Sequence, residues 1–335
     1  MILKYQKLRF YLEAIEPIIL PPYKGSALRG GFGAAFKKIA CVIKKNTCAE
    51  CLLKDQCAYA YIFETSPPEG SSILKMEKYE SIPRPFILEP PKENKRVYEP
   101  KEKFYFDLIL IGKGINYLPY FILVFSELGQ MGLGRGKGKF KLQEIWHKDM
   151  KIYSDESKAL KKIEPESIEI PEYINLDKDM VEDEEVTIEF ITPVRLKYHR
   201  DLVVKLEFFI LITNLLRRLN LLNYFHGDAR QPGWDHKQLI ELARQVEIKY
   251  DCLSWYDWER YSGRQKTRLK LGGLKGRITY WGKIGRFRPW LKAGEIFHVG
   301  KATAFGLGEY VILPHNGKTE DRIKLEETFK EEGKK

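Results

Sequence analysis

Ile296-Phe-His-Val-Gly-Lys-Ala-Thr-Ala-Phe-Gly-Leu-Gly-Glu-Tyr-Val-Ile312 decides the reading of this chain. Gly300, Gly306 and Gly308 are spaced closely enough for a loop that takes positive φ and approaches another backbone or a phosphate. His298 stands at its entrance, Lys301 lies inside it, and an apolar, strand-like run follows. A related phrase, Leu128-Gly-Gln-Met-Gly-Leu-Gly-Arg-Gly-Lys-Gly-Lys-Phe140, precedes another strand pattern. Two glycine-rich loops, each opening a strand, predict a duplicated architecture.

The elements leading to each loop follow one order. Over residues 3–14, Leu8, Phe10, Leu12 and Ala14 alternate with polar neighbours, the period of a half-buried strand. Pro21-Pro22 stops it. A helix is expected from Ser26, with Leu28, Phe32, Phe36 and Ile39 on one stripe. Strands over 85–90 and 103–112, a helix over 118–128 and a strand over 139–146 complete β-α-β-β-α-β, the split βαβ or ferredoxin-like unit. The second round opens on a strand carrying Val186, Ile188 and Phe190, then helices over 202–224 and 235–247. Strands over 249–256 and 266–282, a short helix over 289–295 and a strand over 309–313 close it. The expected fold is α+β: two tandem ferredoxin-like domains, 1–150 and 185–315, joined by an acidic linker over 151–184. A cysteine-rich insertion at 41–57 and a charged tail at 316–335 complete the plan.

Net charge is +11, and the signs are separated rather than interspersed. Residues 151–190 are strongly acidic, whereas 260–301 carry Glu295 as their only acid. A basic face beside an acidic spacer points to a polyanionic partner, most often nucleic acid. Arg260, Arg264, Lys266, Arg268, Lys270, Lys275, Arg277, Lys283, Arg286 and Arg288 are interleaved with Tyr261, Tyr280, Trp281, Phe287 and Trp290. Cations of this kind meet phosphates and aromatic faces stack on unpaired bases. In a strand, Lys266, Arg268 and Lys270 share one face; Arg135, Lys137 and Lys139 of the first loop extend the basic surface. Met1 to Phe10 is charged and strand-like, unlike a secretory signal. Leu206 to Leu222 is interrupted by Arg217 and Arg218, so no membrane span and a cytoplasmic location are expected.

Cys41, Cys48, Cys51 and Cys57 form C-x6-C-x2-C-x5-C. Four thiols in so short a segment fit a tetrahedral, structural Zn²⁺ site. An iron–sulfur cluster can use the same four thiolates.

Several phrases resemble one family in the same order along the chain. They are LRGGFGAAFKKIAC (28–41), the cysteine set ending in CAYAYIFE (57–64), RYSGRQKTRLKLGGLKGRITYWG (260–282) and FHVGKATAFGLGEYVI (297–312). Over about residues 1–313 the chain resembles the RAMP superfamily, and within it the CRISPR-associated endoribonuclease that cuts precursor RNA in its repeats. The resemblance implies CRISPR repeat RNA as substrate and cleavage without a metal or other catalytic cofactor, leaving 5′-hydroxyl and 2′,3′-cyclic phosphate ends. It also allows other Cas proteins of an effector complex as partners. Such chemistry needs proton transfer and cations beside the phosphorane. His298 and Lys301 are the catalytic candidates, and Gly300, Gly306 and Gly308 are expected to meet RNA. Relatives commonly place a catalytic histidine near the first helix with a tyrosine and a lysine. This chain has no histidine before His147, and offers Tyr23, Lys24, Arg29, Lys37 and Lys38 there. That departure keeps a second reading open, a non-catalytic RAMP subunit that holds guide RNA. His226 is expected to cap a helix end and His199 to sit in a turn, with His147, His236 and His315 at the surface.

Overall fold

The computed structural model describes residues 1–43, 48, 50–65, 82–172, 182–199, 201–229, 232–257, 259–262, 267–270 and 272–314. Its first half runs through β1 (Ile2–Ala14), β2 (Ile18–Ile19), α1 (Gly25–Ala40), β3 (Phe86–Glu89), β4 (Val97–Tyr98) and β5 (Lys103–Ile111). It continues with α2 (Leu118–Met131), β6 (Phe140–His147), β7 (Met150–Ser154) and β8 (Glu166–Glu169). The antiparallel sheet has the order β3-β5-β1-β6-β7, with β8 beside the start of β1. Its β6-β1-β5-β3 portion has the strand order 4-1-3-2 of the split βαβ unit.

The alternation in β1 decides which face is covered. Leu8, Phe10 and Leu12 are buried beneath the two helices. On α1, Phe32 stacks on Phe121 of α2 with ring centroids 4.9 Å apart, and lies 5.4 Å from Phe125. Each such ring contributes about 1.5–3 kcal/mol by burial. Gly33 lets α1 come this close to its neighbours, because a Cβ there would fall 2.1 Å from the Phe63 ring.

The second half contains β9 (Glu184–Val194), β10 (Lys197–Tyr198), β11 (Asp201–Leu202), α3 (Phe208–His226), α4 (His236–Arg244) and β12 (Glu247–Tyr256). Then come β13 (Glu259–Ser262), β14 (Thr267–Lys270), β15 (Gly273–Gly282), α5 (Arg288–Phe297) and β16 (Tyr310–Ile312). Sheet order β12-β15-β9-β16 repeats the pattern of the first half. Asp235 caps α4, accepting from the Gln238 amide at 3.0 Å.

Two expectations are revised and a third is sharpened. The acidic stretch after residue 150 is more than a linker: β7 and β8 in it extend the first sheet, and Lys148 pairs with Glu166 at 2.9 Å. The helix expected from residue 202 begins at Phe208, because β10 and β11 first form a small hairpin turning at His199 with φ 47°. The strand expected over 266–282, with a join or bulge at Gly272-Gly273 and Gly276, divides into β14 and β15 before Gly273, and Gly276, at φ 119°, marks the irregular register in β15 as expected.

The core of the second half extends into the first. Met1, Leu3, Ile87, Ile109 and Ile111, on the outer face of the first sheet, join the cluster built by α3, α5 and the second sheet. Tyr5 meets Phe297 edge-on at 5.7 Å. Among the described residues, no helix is long and apolar enough to cross a membrane.

Candidate nucleic-acid site at the second glycine loop

α5 ends at Phe297, and the chain enters the loop through His298 at φ 56°, ψ 175°. Gly300, Gly306 and Gly308 have φ of 91°, 84° and 71°. The predicted positive φ is present, and it serves close approach to protein backbone. A Cβ on Gly308 would lie 1.8 Å from the Val299 carbonyl oxygen, and one on Gly306 2.6 Å from that of Leu88. These glycines shape the loop and face the chain itself. The Lys301 amide donates to Arg195 O at 2.9 Å, and the Thr192 hydroxyl donates to Gly306 O at 2.8 Å. Buried Arg218 of α3 donates from Nε to the carbonyls of Phe297 (2.8 Å) and His298 (3.1 Å), closing the end of α5. Burial pushes the Arg218 guanidinium down to about 9.

His298 is 0% exposed. Its Nε2 lies 3.0 Å from Glu89 Oε1 and its Nδ1 3.2 Å from Leu307 O. Both nitrogens therefore face oxygen atoms of the protein. Glu89 is also buried, and burial alone would raise its carboxyl. The hydrogen bond and charge of His298, together with Lys7, outweigh that and hold it at about 2. Lys7 Nζ approaches Glu89 Oε2 at 2.7 Å, and Lys92 pairs with buried Glu309. Glu89, His298 and Glu309 bring three potential ligand atoms within 4.8 Å of one another. The two lysines already pair with the two carboxylates, and both His298 nitrogens are engaged within the protein. The cluster is an ion network that ties β3 of the first half to the second loop. His298, the leading catalytic candidate from sequence, is placed where RNA has no access to its ring. Its backbone conformation, which costs about 1–3 kcal/mol in a non-glycine residue, is held by these contacts.

Lys301 projects differently. It is exposed, and its ammonium is pushed below the ordinary value by partial burial first, then by Arg217 of α3 and Lys197 of β10. Three cations thus neighbour one loop and make it locally basic. Exposed His199 turns the hairpin that carries Lys197.

The N-terminus of α1 abuts the same loop from the other side. The Tyr23 hydroxyl donates to Phe305 O at 2.6 Å, and the Arg29 guanidinium lies 3.9 Å from the Phe63 ring centroid and 4.9 Å from that of Phe305. Lys24 is buried and donates to Glu93 O; burial lowers its ammonium. Tyr23, Lys24 and Arg29 thus join the junction. Lys37 and Lys38 occupy the last turn of the 16-residue α1, with Lys38 paired to Glu127 at 2.5 Å. At about 1.5 Å per residue they are remote from it.

The basic segment divides. Arg277 pairs with Glu189 at 3.3 Å and Arg288 with Glu184 at 2.5 Å, while Lys275 and Lys283 are exposed and Arg286 is half-buried. β13 and β14 bring Arg260 opposite Leu269, Tyr261 opposite Arg268 and Glu259 opposite Lys270. Arg264 and Lys266 lie outside the described residues. Of the interleaved aromatics, Tyr280, Phe287 and Trp290 are core, while Trp281 is 40% exposed. The sequence reading missed Tyr250 and Tyr256 of β12, exposed by 40% and 43%. The Lys249 ammonium lies 5.4 Å from the Trp281 ring centroid, and that of Lys275 5.6 Å from Tyr256. The signal was strand register: the β12–β15 pairing puts Tyr250 opposite Thr279 and Tyr256 opposite Gly273, on the Trp281 face. In the first loop Arg135 and Lys137 are exposed, whereas Lys139 pairs with Glu16 at 3.2 Å.

The remaining histidines are mostly structural. His147, expected at the surface, is buried with Nδ1 3.2 Å from Lys7 O. His226, expected as a cap, instead bridges to the first half, with Tyr61 OH at 2.9 Å and Pro83 O at 2.7 Å. Burial pushes it down to about 4. His236 is half-buried in the first turn of α4, and His315 lies outside the described residues.

Residues 188–310, closing on this loop and β16, match the family model described as CRISPR-associated endoribonuclease Cas6. That segment, less than half of the chain, is similar to the Cas6 family. Residues 3–167 match a separate model described as an N-terminal domain. An uncharacterized protein of Archaeoglobus fulgidus is 25% identical over 300 residues, 88% of this chain and 92% of its own. Among solved structures, a Cas6 product complex aligns over 92% of this chain and 100% of its own, at 16% identity and a TM-score of 0.50. A partial Cas6-RT-Cas1–Cas2 complex aligns over 95% of this chain and 47% of its own, at 13% identity and a TM-score of 0.53. These structures share the fold.

Proposed function

We propose that this protein is a member of the Cas6 family that binds CRISPR repeat RNA across two ferredoxin-like halves and cuts it at the second glycine loop. The convergence of Lys301, Arg217 and Lys197 on that loop carries the reading. The scissile phosphate sits among these cations, which stabilise the charge that develops as the ribose 2′-OH attacks. Proton transfer falls to groups at the loop surface. Lys301, its ammonium weakened by partial burial and then by its neighbours, is one; exposed His199 is the imidazole that could serve as the other. Products carry 5′-hydroxyl and 2′,3′-cyclic phosphate ends, and no metal takes part. His298 positions the loop rather than reacting. Single-stranded flanks of the repeat stack on Tyr250, Tyr256 and Trp281, with Lys249 and Lys275 beside them and Arg260, Arg268 and Lys270 further along the β13–β14 hairpin. Other Cas proteins receive or share the product, as the Cas6-RT-Cas1–Cas2 assembly suggests by analogy.

The absence of an exposed histidine at the α1 side of the junction, among the described residues, favours the second reading, an RNA-holding subunit without turnover. End-labelled repeat RNA incubated with pure protein in excess EDTA separates the two. Single-site cleavage with cyclic phosphate ends supports the nuclease. Tight binding without product would assign the holding role.

A further inference from the structure

The cation cluster and the junction leave the cysteine segment between α1 and β3 without a task. Cys41 is the C-cap of α1, its amide donating to Lys37 O. Cys48 and Cys51 form a tight turn, with the Cys51 amide 3.3 Å from Cys48 O, and the Lys54 amide closes the next turn onto Cys51 O at 3.0 Å. Cys57 starts the π-helical turn Ala60–Glu64 by accepting from the Tyr61 amide at 3.0 Å. All four thiols are free and half-buried. Cys48 and Cys57 both pack against the core of the first half.

The segment has little else to hold it. Val42, Leu52 and Leu53 are exposed by 80%, 94% and 45%, and its regular structure between Cys41 and Cys57 is the single turn Lys54–Gln56 among the described residues. Yet it must fix the π-helical turn, whose Tyr59 packs edge-on against Phe36 of α1 at 5.7 Å and whose Phe63 lies beneath Arg29. Segments too short for a core of their own are commonly stapled by a metal.

We propose that Cys41, Cys48, Cys51 and Cys57 bind one Zn²⁺ as four thiolates, a structural site that sets the register of the π-helical turn and hence the Phe63–Arg29 contact at the junction. The four sulfurs are not yet at ligand separation: among the described residues, Glu89, His298 and Glu309 are the three that place ligand atoms within 4.8 Å. Metal binding therefore draws the two turns together, and the site is closed, with no open coordination position for catalysis. His298 and the carboxylates at that other cluster are already paired, so the thiolates are the soft ligand set on which zinc is expected.

The test uses the full chain purified without oxygen, with metals measured by elemental analysis. One zinc per chain is expected, lost in Cys48→Ser/Cys51→Ser and retained in Cys252→Ser. Stripped wild-type protein titrated with Co²⁺ should develop the intense visible bands of tetrahedral thiolate coordination, a readout that does not depend on the variants folding or on RNA cleavage. Protein that neither retains zinc nor gives the Co²⁺ spectrum would overturn the proposal. Iron with inorganic sulfide in place of zinc would overturn it too, in favour of a cluster on the same thiolates.

Discussion

The two glycine loops look alike in sequence and do different work. The first, before β6, has Gly132, Gly134 and Gly136 at φ 80°, 76° and 84° and closes on its own half, the Arg135 amide donating to Ile19 O at 2.9 Å. Its lysine pair, Lys139 with Glu16, is half-exposed on both sides. The second closes on β9 and also on the other half, through Glu89 and His298, which are fully or almost fully buried. Glycine spacing specifies a backbone shape in both. What surrounds that shape decides whether it is a surface turn or the hinge of a site.

The largest difference should appear in stability. Glu89→Ala leaves His298 and Lys7 without their buried partner and is expected to cost about 3–5 kcal/mol in urea unfolding. Glu16→Ala, in the first loop, should cost less than about 1 kcal/mol. Equal losses would remove the distinction. Next comes activity: Lys301→Ala is expected to slow repeat cleavage about a hundredfold, whereas Lys137→Ala should leave the rate near wild type.

Acid should also separate the loops. Because Glu89 is depressed to about 2, its contribution is complete above the ordinary carboxylate range and fades as pH falls through that range towards 2. Thermal unfolding of Glu89→Gln should lack this acid-dependent loss, and an unchanged profile would remove Glu89 as its source. The smallest effect belongs to the first loop. Arg135→Ala should reduce the salt slope of RNA binding by about one, if that loop touches one phosphate. An unchanged slope would confine RNA to the second half.

Local patterns were legible where one chemical rule governs. Alternation in β1, the aromatic stripe of α1 and the positive φ at Gly300, Gly306 and Gly308 could all be read from neighbouring residues. The histidines could not. His298 is buried by Glu89, 209 positions away, and His226 by Pro83, 143 positions away. Their partners come from the other half, which no local spacing records. The acidic run hid β8 for a related reason: its Glu166 and Glu169 sit on an edge strand, where charged side chains are tolerated. Tyr250 and Tyr256 were recognised as strand residues, but their exposed face depended on the pairing with β15.

Single-turnover cleavage of the repeat RNA at saturating protein, for Lys301→Ala and His298→Gln beside wild type, tests the central claim most directly. Thermal unfolding of each variant accompanies it. Lys301→Ala should unfold like wild type yet cut about a hundredfold more slowly, while His298→Gln should lose stability and, at temperatures where it is folded, cut at nearly the wild-type rate. A folded, stable His298→Gln protein that fails to cut, beside an active Lys301→Ala, would contradict the account and place the His298 ring in the chemistry.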